Sequence, residues 1–340
     1  MVVILFSALW LVVFVVGIAR GLVSDFSFFG HKLNSVQWNN VQSDVNCWAT
    51  NGSWVFNNKT IIDDIKLYRK CHKFIGYGPK NPCSWILDRD ALRYDWLDTC
   101  PKPRTRIDPH KICQMMQGRD ILFVGDSVQK LLYSSFFEEL LLVANATCKH
   151  VDPIFEFPCQ DAPSFKLKYA RNDELSLGIM GRTEIVAEFS SEILEAWEHL
   201  IGENDVVVLN RGAHYHVDSE LLDGVNTTLH YLRTNHPNVS VIYRNTLPGV
   251  QYKETIFAPP LKTKPIAKAH YHWDKFEGQN ELVLNLINTH YPEVLHLDVF
   301  SPTVLREDAH YDHIHYCIPG PVSLWVDFLY NALMLIDKKA

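Results

Sequence analysis

A serine in the sequence Gly125-Asp126-Ser127 and an Asp312-x-x-His315 pair near the far end of the chain are the residue types from which a nucleophilic acyl-transfer site is built. A serine hydroxyl is a weak nucleophile until an imidazole takes its proton, and a carboxylate behind the imidazole fixes the ring for that task. Three residues apart, Asp312 and His315 fall side by side in a loop or a first helical turn, within hydrogen-bonding reach. A second pair, Asp308 and His310, stands just before them. The bland reading of the serine is that Asp126 and Ser127 cap a helix. The Asp-His pair and a strand-ending Asn210 weigh against that reading as the whole account. Pairs of His-x-His occur at 214/216, 270/272 and 313/315. No Cys or carboxylate spacing completes a zinc signature around them, so no metal is expected.

Those side chains need elements to carry them to one place. Residues 119–124 (RDILFV) read as a buried strand, and residues 128–143 as a helix with Leu131, Leu132, Phe136, Leu140 and Val143 on its apolar positions. Ser127 therefore sits where a strand hands over to a helix. Strands are also expected at 205–209 (DVVVL), which ends in Asn210, at 239–243, at 294–299 and at 184–189. Helical stretches are expected at 192–201, 220–234, 276–289 and 322–336. This alternation predicts an α/β fold whose mostly parallel sheet is covered on both faces. Sites in such sheets form at the carboxyl ends of the strands. Ser127, Asn210 and the loop after Val299 all fall on that edge.

The same residues carry a resemblance. GSWV at 52–55 with Cys47, then Trp85, YDW at 94–96 and Cys100, open an ordered set of motifs. The set continues with the 118–127 block ending in VGDS, NRGAHY at 210–215, YRNT at 243–246 with Pro248, and DHIHYCIPG at 312–320. Together they resemble the trichome birefringence-like and PC-esterase family, a branch of the SGNH/GDSL hydrolases, over roughly residues 47–333. The resemblance implies an SGNH-like three-layer sandwich. It implies Ser127 as nucleophile, His315 as general base and Asp312 as its orienting carboxylate, and it favours this pair over Asp308 and His310. Gly125 and Asp126 would shape the turn, and Asn210 would donate to the oxyanion. The family's glycine donor has only Gly178 and Gly181 as candidates. His313 and Tyr316 stand where the family has Cys and Trp, so one family disulfide is expected to be absent or rewired.

The resemblance further implies an acetyl group moved through an acyl-serine onto a polysaccharide or glycan hydroxyl. The acyl donor, acetyl-CoA or an acetylated intermediate, would be a co-substrate, with no bound cofactor. If water replaces the sugar, the same site is a secreted carbohydrate esterase; an inactive glycan-binding protein is the third reading. Tyr215 and Trp273 are candidates for stacking on a sugar. Arg211 and Arg244, each just after a strand, are candidates for gripping an acidic sugar or the acyl donor.

Composition agrees with an exported globular protein. The 340 residues are 47% hydrophobic and 21% charged with a net charge of −7, which excludes a disordered chain and offers no basic balance for nucleic acid. Residues 2–18 are uncharged and almost wholly apolar, the pattern of a signal peptide or a short signal anchor. Either delivers the rest to a lumen or the outside; the family implies the Golgi membrane with a lumenal catalytic region, secretion being the alternative. Five N-x-[ST] sequons, at Asn51, Asn58, Asn145, Asn226 and Asn238, fit that route. So do eight cysteines without a CxxC pair, with Cys148 and Cys159 close enough in sequence to close a local loop. The expected organisation is a leader over 1–23, a loop-rich Cys/Trp region over 24–106 and a catalytic region over 107–340.

Overall fold

Short apolar runs that end in glycine or a polar residue are too brief for helices, and in the computed structural model of this chain they pair into one sheet. The structure describes residues 35–57, 93–144, 153–186, 191–214, 217–250, 259–266, 270–310, 312–318 and 320–337. The N-terminal apolar segment lies outside them, and among the described residues no helix is long and apolar enough to cross a membrane.

In chain order the elements are α1 (Ser35–Thr50), β1 (Gly52–Phe56), β2 (Tyr94–Asp98), α2 (Pro109–Met116), β3 (Ile121–Gly125), α3 (Ser127–Val143), β4 (Ile154–Phe157), β5 (Phe165–Arg171), β6 (Arg182–Val186), β7 (Ser191–Glu195), β8 (Val206–Leu209), α4 (Asp218–Asn235), β9 (Ser240–Arg244), α5 (Trp273–His290), β10 (Leu295–Leu297), α6 (Phe300–Thr303) and α7 (Pro321–Asp337). The main sheet runs β10-β9-β8-β3-β5-β4. Its strands are parallel from β10 to β5, and β4 closes the edge antiparallel to β5.

Side chains of a strand alternate between faces, and here both faces are buried. Ile121, Phe123, Val206, Val208 and Ile242 pack into a core that α1, α2, α3 and α7 cover. Leu122, Val124, Val207, Leu209 and Tyr243 face the other core, under α4 and α5. Two-sided burial explains why these strands read as unbroken apolar runs. Helix starts are set locally: Asp108 caps α2 with Pro109 following, and Asp126 caps α3. The chain leaves β3 toward β5 on one side and later returns to β8 on the other. The order reverses between β3 and β8, the place where sheets of this kind leave a crevice at the carboxyl ends of their strands.

Four expectations need correcting. Residues 192–201 are not helical: β7 pairs antiparallel with β6, and a single 3-10 turn follows at Glu198–Leu200. Spacing in EILEAWEHL allows a helix, but β7 is stitched to the end of β5, where Asp173 accepts from the Ile193 N–H at 2.8 Å and Glu195 from the Arg171 N–H at 2.9 Å. The strand expected at 184–189 is β6 at 182–186, which pairs with β7 outside the main sheet. The region expected to be loop-rich contains α1, whose Val41, Val45 and Trp48 join the main core. Cys159 bonds Cys113 rather than Cys148, tying α2 to the segment after β4. Cys47 bonds Cys100, and Cys317 is also in a disulfide.

Candidate active site

Every residue of β3 is buried, and the strand ends in Gly125 at φ 153°. A side chain there would place its Cβ 2.7 Å from the Asn210 carbonyl oxygen, so the glycine lets the ends of β3 and β8 approach. Asp126 follows as the cap of α3. Its Oδ1 accepts from the N–H groups of Val128 at 2.8 Å and Gln129 at 3.0 Å, and its Oδ2 from Ala213 N–H at 3.3 Å. The Tyr169 hydroxyl donates to the Asp126 carbonyl at 3.0 Å. The capping reading is thus true of Asp126, and it leaves Ser127 as the first helical residue, half-buried at the crevice.

The other half of the site arrives from the chain's far end. His310 and Tyr316 bridge, and the Cys317 N–H donates to the Ala309 carbonyl at 3.0 Å, drawing residues 312–317 back against Ala309 as a loop. Within it Asp312 Oδ1 accepts from the N–H groups of Ile314 at 2.9 Å and His315 at 2.7 Å. Asp312 Oδ2 lies 2.7 Å from His315 Nδ1, and His315 Nε2 lies 2.7 Å from Ser127 Oγ. A carboxylate only accepts, so Nδ1 carries the proton and Nε2 accepts from the serine hydroxyl. Burial acts to raise the Asp312 carboxyl, but His315 and the two backbone N–H groups hold it below its ordinary value. Such a chain can draw a proton from Oγ onto Nε2 without ionising the hydroxyl in advance.

The competing pair lies elsewhere. Asp308 is buried against the Arg306 guanidinium at 2.8 and 3.0 Å. His310 is buried, which lowers its pKa to about 4, and it packs against Tyr316 with ring centroids 3.8 Å apart and planes tilted by 41°.

Not every expected residue lines the crevice. Asn210 is fully buried, and its Nδ2 donates to the Arg244 carbonyl at 3.0 Å. Arg211 and Arg244 do not reach out to a substrate. Arg211 is buried and donates from Nη1 to the Glu174 carbonyl at 2.7 Å. Arg244 is 1% exposed. Its Nε donates to Gln129 Oε1 at 2.8 Å and its Nη1 to the Asn245 carbonyl at 2.8 Å, while Nη2 stands 3.8 Å from Asp126. Burial lowers its pKa to about 10 against the pull of Asp126, so it stays charged near neutrality. Arg244 is the last residue of β9 and Arg211 comes two residues after β8, and both side chains turn inward at these buried strand ends. Trp273 is likewise buried. Tyr215 lies outside the described residues. Gly178 and Gly181, the candidates for the glycine donor, are exposed, and the Gly178 N–H already donates to Glu198 Oε1 at 2.7 Å. Among the described residues no group of three His, Cys, Asp or Glu is gathered to hold a metal ion.

Two supports of the serine turn escape the sequence reading, Tyr169 and Gln129. Gln129 also donates from Nε2 to the Val208 carbonyl at 2.8 Å, binding the first turn of α3 to β8. A signal for Tyr169 exists: FKLKYAR alternates Phe165, Leu167 and Tyr169 with two lysines, the period of a strand.

No family model matches the chain. Among curated proteins it is 23% identical over 362 residues to protein trichome birefringence-like 20 of Arabidopsis thaliana, covering 86% of this chain and 73% of that protein. Among solved structures, one from Streptococcus pneumonia, provisionally assigned as a platelet activating factor, aligns with 66% of this chain and 91% of its own, at 15% identity and a TM-score of 0.38.

Proposed function

We propose, from the premise that the chain is a distant homologue of a trichome birefringence-like protein, that it is a serine-dependent O-acyltransferase acetylating a polysaccharide or glycan. The observation that carries this reading is the unbroken path Ser127 Oγ–His315 Nε2 and His315 Nδ1–Asp312 Oδ2, each 2.7 Å. His315 takes the Ser127 proton as Oγ bonds to the acyl carbon of an acetyl donor, acetyl-CoA or an acetylated intermediate. The tetrahedral oxyanion is met by the Ser127 N–H at the start of α3, because Asp126 already occupies the two N–H groups that follow. The oxyanion collapses, the bond to the leaving group breaks, and His315 returns the proton to it. In the second half a sugar hydroxyl gives its proton to His315 and attacks the acyl-serine, releasing Ser127. The N-terminal apolar segment fits a Golgi membrane protein with this site in the lumen.

One observation favours an esterase as second reading. The Asp312 side chain is 41% exposed, so solvent reaches the outer end of the path, and water exclusion decides between transfer and hydrolysis. The deciding experiment treats the protein with an activated acetyl ester and follows the mass of the Ser127 peptide with and without oligosaccharide. The expected result is an acetyl adduct on Ser127 that sugar discharges faster than water. Discharge indifferent to sugar makes the protein an esterase, and no adduct at all ends both readings.

A further inference from the structure

Trp273 is 4% exposed, and what its buried ring supports is a second aromatic, Tyr271. The Trp273 ring lies over Gly249, where any side chain would collide with it. Its centroid is 6.2 Å from that of His313 at 33°, and 5.8 Å from that of Tyr271 at 35°. His313 stands between Asp312 and His315 in the chain. It is fixed to Val250 at both ends: the Val250 N–H donates to its carbonyl at 2.7 Å, and its Nδ1 is 3.1 Å from the Val250 carbonyl. Three tilted rings therefore lead from the His315 loop outward, and the last, Tyr271, is 42% exposed.

The backbone at this point is strained. Tyr271 and His272 adopt φ 52° and 58° in succession, and neither is glycine. The left-handed region crowds a Cβ against the carbonyl oxygen that follows. Backbone held there by its surroundings clusters at sites that clamp ligands. Here it turns Tyr271 toward solvent one residue before His272 caps α5, while Trp273 begins the helix facing inward.

Charge narrows what such a ring would hold. Among the described residues, the ionisable groups exposed beside it in the chain or on the His315 loop include Asp274 and Asp312, and Asp274 is partnered by Lys275. The two arginines expected to meet an acidic sugar are interior. With Asp274 offset by the exposed Lys275, Asp312 tips the named groups toward negative charge and gives a carboxylated sugar no advantage, whereas a neutral pyranose with equatorial substituents presents a flat apolar face to an aromatic ring.

We propose that Tyr271 is an acceptor subsite on which one ring of a neutral, equatorially linked glycan stacks, leaving a hydroxyl of a neighbouring sugar to reach Ser127 and His315. This rests on the reading that the acceptor is a glycan. It is tested by binding rather than turnover, on the full chain carrying Ser127→Ala, with and without Tyr271→Ala or Tyr271→Trp. The probes are cellohexaose, which is neutral, and the β-1,4-linked glucuronate hexamer, which has the same equatorial linkage with a carboxylate at each C6, each titrated by calorimetry and by saturation transfer to the sugar protons. Cellohexaose is expected to bind the Ser127→Ala protein more tightly than the glucuronate hexamer does. Tyr271→Ala is expected to weaken it on the order of tenfold, with Tyr271→Trp restoring it. Cellohexaose binding that is absent, or unchanged by Tyr271→Ala, overturns the subsite, as does tighter binding of the anionic probe. Should the alanine variant fail to melt cooperatively, a tryptophan variant binding cellohexaose more weakly than Tyr271 overturns it too. Serine labelling without discharge to sugar would instead strike the transfer reading, so the two failures are separable.

Discussion

Asp312 has two tasks, one oxygen on His315 and the other on its own loop. Asp312→Asn keeps the size and the turn but replaces an acceptor with an amide that can favour the wrong imidazole tautomer. The rate of Ser127 acetylation is expected to fall between about a hundredfold and ten-thousandfold. The smaller loss is the more natural for a carboxylate this exposed. Because the native carboxyl is held below its ordinary value, it stays ionised as pH falls through about 3.9. Its contribution is therefore present above the unfolded value and is lost only below it. Pre-steady-state acetylation across pH checks this: an Asp312→Asn rate equal to wild type means the carboxylate is only a turn former. The three groups of the path were legible in the sequence because each needs only its type and an ordered motif. Arg211, Arg244 and Trp273 prove interior, because a place in the sequence near the active edge says that a residue is close by, not whether its side chain points out. Burial settled that, and burial depends on α4, α5 and α3 packing around them.

At the scale of elements, Arg244 is the point where β9 meets the first turn of α3 and the end of β8. Its side chain holds Gln129 and faces Asp126, and its carbonyl holds Asn210. Arg244→Met would leave the buried Asp126 without its cation and Gln129 Oε1 without its donor. Breaking a buried pair from one side costs about 3–5 kcal/mol when the contact is close. At 3.8 Å, and with three N–H groups still on Asp126, about 2–3 kcal/mol is the expected loss in urea unfolding. Acetylation should slow with it, since the serine turn relaxes. A variant of unchanged stability with a raised KM for an anionic acceptor would return Arg244 to the role of a substrate grip. The helices and strands that frame this point were readable from apolar periodicity: β3, α3, β8, β9 and β10 all lie where the pattern puts them. The elements that were not readable are the ones whose state is set by a partner. β7 has helical spacing and becomes a strand because β6 and the end of β5 satisfy its backbone. α1 has little periodic contrast and is fixed by Gln42, which exchanges two hydrogen bonds at 2.8 Å with the backbone of His296 on β10.

Across the whole molecule, one buried acid links stability to pH. Glu138, on the core face of α3, is 2% exposed, and its Oε1 makes no hydrogen bond. Burial, with the charge of Glu139 beside it, raises its pKa well above the usual carboxylate value. The folded protein thus keeps a proton that the unfolded chain releases above about pH 4.3. With the unfolded state binding fewer protons, stability falls as pH rises. This contribution is complete below about pH 4.3, then declines by about 1.4 kcal/mol per pH unit until the folded value is reached. The sign opposes that of Asp312, whose lowered value strengthens the fold only as pH rises. Glu138→Gln removes the proton linkage while keeping the side chain's shape and polarity. Urea unfolding of both proteins between about pH 5 and about pH 8 should give curves that diverge, the glutamine variant gaining on wild type as pH rises. Curves that stay parallel would mean that Glu138 does not hold a proton in the native core.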